Sequence, residues 1–449
     1  MLFGVPGLKR IFLSVFVLIA ASVTIISCGS SKPSTTTHRA SGLKFRVFVS
    51  NPLFPTGTGI NLPVLNIVDA SQDVLSNSFL VSLVGASVQP GLMVVSSNLK
   101  FTLVYGPSGN SVTVVDNTTE AVATVAGSTA SVPAITLPGF TESIAINPAA
   151  TRAYAAVPTA PVLGQPPGAV EVLNLQNGSI AASIPVPGAH FVVASQDGNH
   201  VLVFSDNSDT VTVIATILVG TSTDPRSFVT GFDRPVWGIF SSSTAAFVLD
   251  CGPQCGGKAA GVSVLDVGAS TNMGTTPVSG ATYGLLNGST LYVAGTPPPN
   301  PPGTNTCAGT TTAATTCGRL SVLDTGSMTV TGSAIITDGY HDGMQISQNG
   351  QLYIGSHSCT NINVSGGEVR GCLSIFNTSS PGVVIPPSNG DATGLQQIPG
   401  RDIVYVVQNA ALAIYDTTTN KLQVTPGNTK NNNGQVNIVG QLFDVKLVD

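Results

Sequence analysis

Glu142, His190, Arg234, Tyr340, His341, Asp342 and Asp391 are the residues of this chain whose types and positions could do chemistry together. Each stands where a short apolar segment is about to begin, and they come from several different stretches of sequence. In Tyr340-His341-Asp342 an imidazole adjoins a carboxylate. A carboxylate can fix an imidazole's tautomer, and the result is the usual general base or metal ligand. Glu142, Asp233-Arg234 and Asp391 would add further charged groups. Brought to one axis these side chains would form a polar pocket; a plain solvated channel would use the same residue types. The chain contains no G-x-S-x-G, no H-E-x-x-H, no Walker loop and no complete EF-hand,. No catalytic residue, metal ligand or cofactor is therefore assigned.

Six cysteines form a second constellation. Cys251 and Cys255, Cys307 and Cys317, and Cys359 and Cys372 fall as pairs in three successive loops. In an oxidising compartment each pair is expected to close locally and restrain a long loop that has no core of its own. A metal cluster is the alternative. The Cys-x3-Cys spacing is unusual for zinc, and no His adjoins it.

The elements that must position these residues repeat. Apolar runs of β type end at Asp69, Asp116, Asn174, Ala215, Asp266, Asp324, Asn377 and Asp416, at spacings of 39 to 58 residues. Such a period means stacked units rather than one core. An earlier strand precedes each run, and in seven units a further segment and tight turn precede that. Asp197-Gly198, Asn287-Gly288 and Asn349-Gly350 are hairpin signals, expected as type I′ turns. A fourth, weaker strand follows. Each unit therefore reads as an antiparallel meander A-B-C-D, and the closing Asp or Asn as the acceptor of an Asx-turn. The first unit lacks its A strand, and Leu442–Val448 supplies a candidate. The fold expected is all-β, a β-propeller of four-stranded antiparallel blades closed by this C-terminal strand. Eight blades are counted, with seven and one irregular excursion as the alternative. Alternation puts B–C and D–A loops, hence every cysteine pair, on one face.

Composition agrees. Hydrophobic residues make up 42% and charged residues 9%, with 49 Gly and 30 Pro; helical surfaces need more Glu, Lys and Arg than this. The net charge of −5 comes with no basic run, so nucleic acid is not an expected partner.

The N-terminus reads as an address. Lys9 and Arg10 precede an apolar run from Ile11 to Ile26, as in a secretory signal peptide covering 1–27. Ile25-Ile26-Ser27-Cys28-Gly29 resembles the lipobox of bacterial lipoproteins. That resemblance implies lipidation of Cys28, a Ser/Thr-rich tether over 28–42 and, because Gly rather than Asp follows the Cys, an outer-membrane destination on its periplasmic or surface side. The propeller domain then spans 43–449.

The strands Leu291-Tyr292-Val293-Ala294, Leu352-Tyr353-Ile354-Gly355 and Val404-Tyr405-Val406-Val407, each followed by a run ending in Asp or Asn, are similar to YVTN-type propeller repeats. The resemblance covers about 43–449 and implies kinship with lactonase-like propellers and envelope binding proteins. The loops Thr296–Gly318 and His357–Gly371 depart from the tidy repeat. The reading preferred from sequence is an envelope-anchored, monomeric binding module, with no cofactor, that recognises a protein, peptide or glycan through its long-loop face. A lactonase-like hydrolase with an axial site is the alternative.

Overall fold

Val47, Phe48 and Val49 are fully buried in succession, although neighbouring side chains on a strand point to opposite faces. Both faces must therefore be covered. Val47 and Val49 pack in one cluster with Tyr405 and Ile414, whereas Phe48 packs in another with Met93 and Val104. A strand clad on both sides reads as an unbroken apolar run, which is why the repeat is so visible. The computed structural model describes residues 40–55, 59–83, 90–298, 317–364, 366–388, 390–424 and 433–449. The signal segment, Cys28, most of the tether and Cys307 lie outside the described residues.

Eight four-stranded antiparallel blades are present, so eight is the number and the seven-blade alternative falls. Strands A to D run from the axis outward. The A strands are Val445–Leu447, Met93–Val95, Ser143–Ile146, Ala189–Ala194, Pro235–Phe240, Tyr283–Asn287, Tyr340–Ile346 and Ala392–Gln397 for blades 1 to 8. Each contacts the next, and blade 8 meets Val445–Leu447, so the ring is closed. Blade 1 takes strand B from Arg46–Pro55 and strand A from the far end of the chain, with Val47 opposite Leu447 and Val49 opposite Val445.

The seam is reinforced by buried polar groups. Asp444 accepts from the Met93 amide of blade 2 at 2.9 Å and pairs with Lys446 at 2.8 Å. On the opposite face Arg46, 1% exposed, binds Asp449 through Nε at 2.9 Å and Nη2 at 2.8 Å, and Glu120 through Nη1 at 2.6 Å.

All seven closing Asp and Asn residues accept a backbone N–H two or three residues on, as at Asp324 from Ser327 at 2.7 Å and Asn377 from Ser379 at 2.9 Å. Ala215 has no such acceptor, and a 3-10 turn, Thr216–Leu218, leads away instead. The three Asp-Gly and Asn-Gly hairpins form where expected, but not as type I′ turns: only the Gly takes positive φ. At Gly350 and Gly198 the amide bonds back three residues, to Ser347 and Ser195, so an ordinary turn precedes one left-handed residue.

Candidate functional site

The A strands begin, and the B strands end, on one face of the ring. A cavity of about 720 Å³ opens there on the axis, with lining residues from all eight blades. A second lobe of about 380 Å³ shares Glu142, Phe191, Val236 and Tyr340 with it. Glu142 sits just before strand A of blade 3, and Asp391 just before that of blade 8.

Local irregularity aims two of the key side chains. Strand A carries a register shift near its start in blades 4, 5, 7 and 8, passing over His190, Val236, Asp342 and Thr393. A bulged residue is free of the strict alternation of the ladder and can be re-aimed. His190 and Asp342 use that freedom to face the cavity end.

His190 lies between two carboxylates, with Nε2 2.8 Å from Glu142 Oε2 and Nδ1 2.5 Å from Asp206 Oδ1. Burial works against its charged form, but the two carboxylates outweigh burial and hold its pKa above the ordinary value. The contact with His190 holds Glu142 below the usual carboxylate range, against the pull of burial.

His357 mirrors this arrangement in blade 7. It ends strand B of that blade, opposite Tyr340 in the ladder. Its Nε2 is 2.6 Å from Asp342 Oδ2 and its Nδ1 3.9 Å from Asp391 Oδ2. The contact with Asp342 is a close ion pair, poorly aligned as a hydrogen bond. Contact with Asp342 raises the imidazole's pKa against burial, and the charges of Asp391 and Glu142 add to the rise. Burial also pushes the Asp342 carboxyl up, against the opposing effect of His357. Gly339 makes the approach of the chain possible: at φ +96° a Cβ there would lie 2.3 Å from the His357 carbonyl oxygen.

His341 does not join this group. It is 0% exposed, its ladder partner is Ser356, and its Nε2 lies 2.9 Å from the Thr337 carbonyl oxygen. Burial lowers its pKa to about 4, so the ring is neutral and Nε2–H donates to Thr337. His341 points into the blade, while Tyr340 before it and the bulged Asp342 after it face the cavity.

Arg234 lies in the second lobe, 3.4 Å from Asp209 and bonded to the Asn207 carbonyl. Asp233 acts elsewhere. Its carboxylate accepts from the amides of Lys258 and Ala259 at 2.9 and 2.7 Å and so shapes the adjoining cystine loop. That loop is closed by Cys251–Cys255, and Gln254 within it accepts from the Thr296 amide at 2.7 Å. Cys359–Cys372 is the second described bridge; Cys317 is also disulfide-bonded.

Sequence reasoning missed His357, Asp206 and an aromatic wall. Phe191, Trp237 and Tyr283 come from the A strands of blades 4, 5 and 6, with centroids 5.9 and 4.9 Å apart along the series. Ends of B strands and starts of B–C loops share the rim with starts of A strands, and that rule would have found His357 and Asp206. Among the described residues no group of three or more His, Cys, Asp or Glu is placed to hold a metal ion.

No protein-family model and no curated protein matches the chain. Solved structures match in fold. Kuenenia stuttgartiensis hydrazine synthase is 15% identical over 73% of this chain and 95% of that one, with a TM-score of 0.53. The dihydro-heme d1 dehydrogenase NirN, in complex with DHE, is 11% identical over 90% and 75%, with a TM-score of 0.59. Identities this low show the β-propeller fold and nothing finer.

Proposed function

We propose that this chain is a binding propeller held on the bacterial cell envelope by a lipid on Cys28, and that its ligand enters the axial cavity on the long-loop face. One observation carries the reading: the two-lobed cavity combines an aromatic wall with convergent charged side chains. Binding pockets are typically apolar enclosures of about 300–1,000 Å³ with a few placed polar groups. The cystine-bridged loops around the mouth support export, since disulfides persist in oxidising compartments. Relationship to YVTN-type propellers fits Tyr292, Tyr353 and Tyr405, all buried between blades. The ligand of the dehydrogenase is not carried over, because that likeness is one of fold.

A thermal-shift and native mass-spectrometry screen of small molecules tests the binding reading. A ligand that raises the unfolding midpoint, and whose effect is lost in Trp237→Ala, is the expected result. A screen in which no compound depends on Trp237 would overturn it. Cys28→Ser should release the protein from the membrane fraction.

A specific observation favours the hydrolase as a second reading: each of two imidazoles is held against carboxylates at the mouth. Lactone hydrolysis by the wild type that disappears in His190→Ala or His357→Ala would establish it. His341→Ala is uninformative, as that ring is committed to Thr337.

A further inference from the structure

We propose that the axial cavity takes a small organic cation, an alkylammonium head group set against the Phe191–Trp237–Tyr283 wall with Glu142 and Asp342 as its counter-charges. This inference rests on the reading of the cavity as the binding site and names the class of ligand.

Charge and ring chemistry point the same way. Four carboxylates, Glu142, Asp206, Asp342 and Asp391, surround the two imidazoles of His190 and His357. Of the other charged side chains lining the two lobes, Asp444 pairs with Lys446, and Arg234 pairs with Asp209. Carboxylates thus outnumber imidazoles at the mouth by four to two. The carboxylate side chains are 40–50% exposed at the mouth, and a cleft lined by one sign of charge attracts a counter-ion of the other. The phenol of Tyr283 registers the same field: burial, then the charges of Asp342 and Asp444, push its pKa up to about 12.

The aromatic wall supplies the second half of the recognition. A cation over an aromatic face is attracted by the ring quadrupole, most strongly by tryptophan, and desolvation strengthens the attraction. An anion would find the rings but meet like charge. A neutral sugar would find stacking surfaces and acceptors but leave the excess negative charge uncompensated. Only a cation uses both features, and the main lobe of about 720 Å³ has room for a head group with a substituent.

The chain carries a built-in reporter, because its single tryptophan is Trp237, on the cavity wall. The test titrates the full protein with choline and with 3,3-dimethylbutan-1-ol, the neutral isostere of choline, and follows tryptophan fluorescence. Choline should change the emission saturably, with the alcohol about tenfold weaker or more, the ratio a desolvated cation–π contact and ion pair provide. Asp342→Asn and Glu142→Gln, checked by circular dichroism for an intact fold, should each weaken choline about tenfold while leaving the alcohol unchanged. Equal affinity for choline and the alcohol would overturn the cation proposal and leave the cavity standing as a binding site. Absence of any choline response up to tens of millimolar, on the order of the weakest specific affinities, would overturn it too. The Trp237-dependent screen would then decide the fate of the cavity independently.

Discussion

Three histidines at one end of the ring titrate in opposite senses. His190 and His357 have raised pKa values, so the folded state binds protons that the unfolded chain releases above pH about 6.5,. Their stabilisation is complete below that pH and is lost as pH rises through the folded values. His341 has its value lowered to about 4, so the unfolded chain binds its proton first. Its contribution is complete above about 6.5 and fades as pH falls toward 4, by roughly 3 kcal/mol in all. Thermal midpoints measured across pH 4–9 should show this directly. Relative to wild type, His190→Asn with His357→Asn should remove part of the alkaline decline, and His341→Gln part of the acid decline. NMR titration of the imidazole protons should find His341 still neutral at pH 5. The sequence indicated the rim acids and His190 because they open A strands. It could not separate His341 from its neighbours, since adjacency to Asp342 in sequence is the opposite of adjacency on a strand. The base that does meet Asp342 is His357, fifteen residues away in the chain and delivered by the hairpin.

Within a blade, the closing Asx-turn and the cystine loops serve different ends of the same strands. Asn377 accepts two backbone amides, from Ser379 at 2.9 Å and Ser380 at 3.0 Å. Asn377→Ala should cost about 1 kcal/mol in urea unfolding. Placing Asp at 215 should gain nothing, because a 3-10 turn has replaced the Asx-turn there. At the other end, the Cys359–Cys372 bridge spans a sequence separation of 13 across the blade 7 insertion. Its replacement by serines should lower stability by roughly 2–3 kcal/mol, and intact mass without reductant should show both described bridges. Strand positions, turn acceptors and the side of the ring bearing the cysteines were all legible in the apolar runs and their punctuation. The bulges over His190, Val236, Asp342 and Thr393 were not. A bulge shifts the alternation by only one residue in a strand of six or seven, too short a run for the shift to be read, yet it decides which side chains reach the cavity.

The ring as a whole has no common core. Eight hydrophobic clusters occur among the described residues, one at each interface between neighbouring blades. That division was implied by a period of 39 to 58 residues; the closure was harder to read, because Leu442–Val448 is only one apolar segment among many. Closure depends on Arg46, whose guanidinium neutralises Glu120 and Asp449, each 1% exposed at the side chain. Arg46→Met leaves two buried carboxylates with neutral donors only and should cost about 3–5 kcal/mol,. Adding Glu120→Gln and Asp449→Asn should restore much of the loss in thermal unfolding, since the strain comes from unpaired charge.

The partner strands at the seam, Val47–Val49 and Val445–Leu447, lie some four hundred residues apart in the chain. A ribosome therefore delivers the second strand of the seam long after the first. Bringing ends so distant together carries a length-dependent entropic cost on the order of 5 kcal/mol, and until then blade 1 presents a naked inner edge to any other strand nearby. Late locking leaves that edge open to mispairing while the other blades form. The wheel therefore cannot shut until its eighth blade has been made, so the order of synthesis sets the order of assembly.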